Sequence, residues 1–196
     1  LNKIEYLGFR GEALPSIAAV SELNVQSKYV DSKQAWSLDI SAGQFNDVYP
    51  SSREIGTKVS IKNLFFATPA RLKFLKSSQV EKSYCHQVIL KMALVNPYTG
   101  FNFKADGREL LNIKPENKSD ESYLNRIKTL MGSIFSNEAI KIENLKQITG
   151  SKFAKIHGFI GLPTLNKSNY NQQHLFINGR SVQDRNLSGA IRSAYR

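Results

Sequence analysis

Three short stretches alternate apolar and polar residues, and that period of two constrains the fold more than any other feature of the chain. Leu23 and Val25 form the first, Trp36, Leu38 and Ile40 the second, and Val59 and Ile61, set among Lys58, Ser60 and Lys62, the third. Successive side chains of a strand point to opposite faces, so each stretch offers one apolar and one polar face. A turn over 31–34 separates the first two. Helical spacing brackets the strands. Leu14, Ile17 and Ala18 stand at i, i+3 and i+4, which suits one buried helix face, and Pro15 fits only near that helix's first turn. Ser78 and Glu81 form an S-x-x-E capping box; Val80, Tyr84, Val88 and Met92 then recur every fourth residue, which predicts a helix over 79–94 ended by Asn96-Pro97. Between them, Leu64-Phe65-Phe66 runs through Ala67 into a turn at Thr68-Pro69. Phe101 and Phe103 alternate with polar partners, and Asp106-Gly107 is a hairpin signal.

Residues 114–120 are polar and lack periodicity, which places a domain boundary there: residues 1–115 and residues 116–196. Beyond it, Leu124, Ile127, Met131 and Ile134 mark a helix, Ile140 and Ile142 a strand, and 153–160 another. Asn178-Gly179 is flanked by two short strand-like runs, and 186–195 reads as a helix. The order is helix, strands, helix, hairpin, then helix, strands, helix. Sheets with helices packed on them follow in both halves, an α+β architecture.

Charge narrows the partners. The 196 residues hold 27 Lys and Arg against 16 Asp and Glu, a net +11. Segment 58–91 carries seven basic groups and one acidic, and segment 177–196 carries four and one, so two short stretches hold most of the excess. Concentrated positive charge fits a phosphate-bearing partner. No apolar run approaches the ~20 residues of a membrane-spanning helix, so no membrane partner is expected. A single cysteine, Cys85, excludes an internal disulfide framework and fits a reducing compartment. His86, His157 and His174 are too scattered to suggest a metal site. The chain opens on Leu1 and reads as an internal piece of a longer protein.

The motifs go further. G-F-R-G-E-A-L at 8–14, G-T-K-V at 56–59, N-L-F-F-A-T-P-A-R at 63–71, K-F-L-K at 73–76 and F-I-N-G-R at 176–180 follow one another in that order. As an ordered set they resemble the MutL family of DNA mismatch-repair ATPases, within the GHKL class, over essentially the whole chain. The resemblance implies a partial GHKL (Bergerat-type) α/β sandwich followed by the first part of a ribosomal-protein-like β-α-β transducer domain. It implies ATP with Mg2+ as cofactor, DNA and a MutS-type mismatch-recognition protein as partners, and a nucleotide-dependent dimer of N-terminal regions. A nucleoid-associated cytoplasmic location, or a nuclear one in a eukaryote, goes with it.

The resemblance also assigns residues. Gly8, Phe9, Arg10, Gly11, Glu12, Ala13 and Leu14 match the lid-end motif whose backbone donors lie over the β- and γ-phosphates. The residues themselves agree, since a glycine-containing loop feeding a helix start offers N–H groups to an anion. Glu12 reads as a loop organiser, and Thr57 matches the threonine that helps hold the adenine end. Lys76 and Arg185 match DNA-contacting positions, with Lys73 and Arg180 as further candidates; all four fall in the two charge-rich segments. Phe65, Phe66 and Phe74 are expected in the core. Ala67 departs from the asparagine many relatives carry before T-P-A-R, which weakens any hydrogen-bonding role assigned there, while Pro69 still fixes its own backbone angle for the turn. The catalytic glutamate and magnesium-binding asparagine of the family are expected upstream of Leu1, and its γ-phosphate lysine downstream of Arg196. The chain alone is therefore expected to be inactive, with apolar surface left exposed. Two alternatives stay open: a catalytically dead DNA-binding fragment, and another GHKL ATPase such as a gyrase B-type subunit.

Overall fold

The computed structural model describes residue 8 and residues 11–149, 152–165 and 173–195. Contacts divide it into two units, Leu1–Ser78 and Gln79–Arg196.

The first unit is built on a five-stranded antiparallel sheet. Helix α1 (Ala13–Ala18) leads into β1 (Glu22–Lys28), β2 (Ala35–Ser41), β3 (Gln44–Phe45), β4 (Tyr49–Ser51) and β5 (Gly56–Lys62), in the order β3-β2-β1-β5 with β4 also on β2. Register confirms the alternation. Leu23 faces Ile40 and Ile61, Val25 faces Leu38 and Val59, and Ser27 faces Trp36 and Thr57, so all nine share one side of the sheet. α1 covers one end of that side, where Ala18, Leu23 and Ile40 form the buried cluster with Ile17, Val25 and Leu38 against it. The rest of that side is open: Trp36 on β2 is 48% exposed, and Val59 and Ile61 on β5 are exposed as well. Exposed apolar surface was the expectation. Leu14, however, was expected on the buried face of α1 and is exposed. α1 is only six residues long, so one and a half turns reach the sheet through Ile17 and Ala18 alone.

After β5 the chain turns through Asn63 and Phe65, both at positive φ. The turn expected at Thr68-Pro69 is instead the start of a short helix, α2 (Pro69–Leu72), with proline in its first turn, where the missing N–H costs nothing. Phe74 is 79% exposed and Phe66 is exposed as well, so the expectation of a core position fails for both. They flank α2, whose own residues are all solvent-facing.

In the second unit, α3 (Ser78–Val95) realises the predicted helix, yet Val80, Tyr84, Val88 and Met92 are exposed and its buried residues are Ala93 and Leu94. The spacing that predicted the helix runs along its exposed side. The hairpin β6 (Phe101–Ala105)–β7 (Arg108–Ile113) turns on Asp106 and Gly107, at φ 51° and 73°. Both central residues at positive φ is the type I′ signature that Asp-Gly favours. The helix expected through Ile134 breaks at Gly132, φ 87°, into α4 (Ser122–Met131) and α5 (Ser133–Asn137). The long hairpin β8 (Ala139–Thr149)–β9 (Lys152–Gly161) follows, then β10 (Leu175–Ile177)–β11 (Arg180–Val182), turning on Asn178-Gly179. Last comes α6 (Arg185–Ala194), capped by Asp184, whose Oδ1 accepts the Leu187 N–H at 2.8 Å.

Arg126 on α4 holds the middle of this unit. It is fully buried, and its Nη2 donates to the carbonyls of Pro97, Thr99 and Lys114. Glu116 lies 3.8 Å from its Nε. Burial pushes its pKa down and the Glu116 charge pushes back, but a guanidinium remains charged. Ser122, also buried, accepts the Ser119 N–H and donates to the Asn117 and Ser119 carbonyls. Glu116 N–H reaches the Pro97 carbonyl at 2.9 Å. The polar, aperiodic stretch 114–120 is thus fastened at several points.

Candidate functional site

Gly11 precedes α1 with φ +67°, a conformation that glycine adopts without strain. A Cβ built on Gly8 or on Gly11 meets nothing within 4 Å. Among the described residues, backbone shape and not crowding is the demand at Gly11. Glu12 is the N-cap of α1 but makes no side-chain cap hydrogen bond. The loop-organising role read for it therefore has no such contact behind it. Ala13 and Leu14 form the first turn, whose N–H groups have no acceptor within the helix. Phe9 and Arg10 lie outside the described residues.

Leu14 lines an apolar groove with Pro15, Val25, Ser27, Trp36 and Leu38. At its edge the Ser27 and Thr57 hydroxyls meet at 2.9 Å. Sheet register creates this pair, since the two residues are direct partners on β1 and β5. The lid-end motif and Thr57 thus belong to the same unit, on the side of the sheet that α1 covers in part. Ser27 was missed in the sequence; pairing of the first and third alternating stretches was the signal that could have found it. These residues fit a phosphate-bearing ligand: open backbone at a helix start and small hydroxyls beside an apolar wall. Among the described residues no group of three or more His, Cys, Asp or Glu could hold a metal ion.

The opposite side of the sheet is polar. Asp39 accepts from Asn24 Nδ2 at 2.7 Å and from the Tyr49 hydroxyl at 2.8 Å. The Tyr49 and then the Asn24 hydrogen bond hold its carboxyl below the usual aspartate range.

The candidate DNA residues divide between the units. Lys73 caps the C-terminus of α2 and Lys76 follows three residues on, both exposed. Arg180 opens β11 and is half-buried, and Arg185 opens α6 and is exposed. Cys85 is exposed on α3. No described helix is long and apolar enough to cross a membrane.

Comparison with known proteins adds to this geometry. A family model described as DNA mismatch repair protein, C-terminal domain, matches residues 127–196. Over its whole length the chain is 39% identical to the DNA mismatch repair protein MutL of Caulobacter vibrioides and 38% identical to that of Agrobacterium fabrum. It covers 30% and 31% of those proteins, so it spans about a third of the curated relatives it matches. Among solved structures, the Aquifex aeolicus MutL ATPase domain complexed with ADP matches with a TM-score of 0.73 at 26% identity, over 93% of this chain and 67% of that one. The N-terminal domain of a DNA repair protein matches with a TM-score of 0.77 at 22% identity, over 98% and 61%, a likeness of fold.

Proposed function

The chain belongs to the MutL family of DNA mismatch-repair proteins, and from that premise we propose that it carries the phosphate-facing end of an ATP lid together with part of a DNA-backbone surface. The observation that carries the reading is likeness over the entire chain, at 39% identity, to a mismatch-repair protein. Two further points support it. The described lid-end residues run through a left-handed Gly11 into a helix start, and a relative of matching fold is complexed with ADP.

Gly8, Gly11 and the opening turn of α1 would meet the phosphates, with Phe9 and Arg10 completing the motif and Thr57 at the adenine end. When bound with Mg2+, ATP supplies a dense negative charge for those backbone donors. Nucleotide binding then favours dimerisation of two N-terminal regions and couples MutS-type mismatch recognition to strand removal. Lys76 and Arg185, with Lys73 and Arg180, contact DNA phosphates, which gives affinity without sequence readout.

The test is duplex DNA binding by the chain and by Lys76→Glu and Arg185→Glu, followed by fluorescence anisotropy at low salt. Each charge reversal is expected to weaken binding several-fold. Unchanged affinity for both would remove the DNA surface. Separately, the purified chain is expected not to turn over ATP, because the general base and magnesium ligand implied by the family match none of its positions. Phosphate release above background, lost when Glu5, the acidic residue preceding the lid-end motif, is changed to Gln, would contradict that.

A further inference from the structure

The polar side of the first unit's sheet carries a groove that no part of the reading above uses. It is lined by Gln26, Lys28, Ser52, Arg53, Glu54 and Lys58. Gln26 pairs with Lys58 and Lys28 with Gly56 across β1 and β5, so Lys28 and Lys58 are diagonal neighbours on one face, roughly 7–8 Å apart by strand geometry. Arg53 approaches from the loop before β5, with its Nε donating to the Gly56 carbonyl at 3.4 Å. Three cations and one carboxylate leave the groove net positive.

At the other end of this face Lys62 stands opposite Glu22, and the carboxylates are satisfied: Glu22 accepts from Asn63 at 2.9 Å, and Asp39 from Asn24 and Tyr49. At the groove end neither Lys28 nor Lys58 makes an ion pair with a described residue. Like charges held around one depression repel, and an anion would relieve that repulsion. The groove is open and no aromatic ring lines it, so it suits a charged backbone better than a stacked base.

We propose that Gln26, Lys28, Ser52, Arg53 and Lys58 form a second DNA phosphate-backbone contact, on the side of the sheet opposite Thr57 and the lid-end helix. This rests on the DNA-binding reading above. The two lysines meet separate phosphates, Arg53 adds a third contact, and Gln26 and Ser52 supply neutral donors. Recognition is independent of sequence.

The test is anisotropy of a labelled duplex across a salt series with the chain, the triple variant Lys28→Gln/Arg53→Gln/Lys58→Gln, Lys58→Arg and, as a control cation outside the groove, Lys33→Gln. The triple variant is expected to bind about tenfold more weakly at low salt, and its log K against log salt to flatten by up to about 0.9 per lost phosphate contact. Lys33→Gln keeps wild-type affinity, Lys58→Arg binds more tightly than the triple variant because it retains the charge, and unchanged circular dichroism establishes that the triple variant folds. If the triple variant binds duplex with wild-type affinity and slope while Lys76→Glu weakens it, this proposal fails and the wider reading stands. If the wild-type chain binds no duplex at low salt, both fail. Tyr29 and Ile55 are exposed beside the groove, so vesicles rich in anionic phospholipid form a second arm; a triple variant that loses vesicles but keeps DNA overturns the proposal.

Discussion

In the first unit the sheet is held by apolar side chains at one end, Ala18, Leu23 and Ile40, and open along the rest of that side. In the second, the largest fully buried side chain is an arginine that ties α4 to three carbonyls around the β6–β7 hairpin. The first arrangement leaves apolar wall, small hydroxyls and a helix start accessible to a ligand. The second spends a buried charge on fixing backbone segments, a use with no slack: removal of the guanidinium leaves carbonyls without a donor and Glu116 without its counter-charge. One unit leaves part of its sheet uncovered; the other fastens its backbone segments around a buried charge.

Breaking the clamp gives the largest effect. Arg126→Met is expected to destabilise the second unit by about 3–5 kcal/mol, the cost of removing one partner from a buried charged network. Hydrogen exchange would locate the loss, with the Glu116, Ser119 and Ser122 amides losing protection and β1, β2 and β5 keeping theirs. Equal loss in both units would dissolve the contrast. Leu23→Ala should do the reverse, costing the first unit about 2–4 kcal/mol through a cavity between α1 and the sheet, read as a lowered urea midpoint for the β1–β5 amides. Asp184→Ala should cost about 1 kcal/mol by removing the cap of α6, seen as faster exchange at the Leu187 amide.

The smallest effect is a pH dependence in the first unit. Hydrogen bonds from Tyr49 and Asn24 lower the Asp39 pKa in the folded state. Its contribution is therefore full above the unfolded value, about 3.9, and is lost as pH falls through the lower folded value. Wild type should lose stability relative to Asp39→Asn on acidification below about pH 4, a difference measured by denaturant melts at two pH values. A gap between the two proteins that does not change with pH would remove the role given to those hydrogen bonds.

Local chemistry was legible in the sequence and packing was not. Asp106-Gly107 and Asn178-Gly179 announce their hairpins because each needs two residues at positive φ, which few pairs accept. Alternation predicted the three main strands, and their register then explained the Ser27–Thr57 pair. The period of Val80, Tyr84, Val88 and Met92 set the helix, while which side it buries depends on what the helix meets, and period alone carries no partner. Gly132 sits inside an apolar period that reads as one helix, and its positive φ ends it. Arg126 had no signal at all: a basic residue on a mixed helix face reads as solvated until the carbonyls around it are known. The site candidates came from ordered motifs, and for those the structure contributes position: the lid-end residues and Thr57 in one unit, Lys73 and Lys76 in the same unit, Arg180 and Arg185 in the other.

The central claim is that this chain meets DNA through phosphates. Its most direct test is the affinity of the unmodified chain for two duplexes of unrelated sequence at several salt concentrations. The account predicts equal affinities and a linear fall of log K with log salt, by about 0.9 for each phosphate neutralised. Binding that ignores salt, or that distinguishes the two sequences strongly, would contradict it.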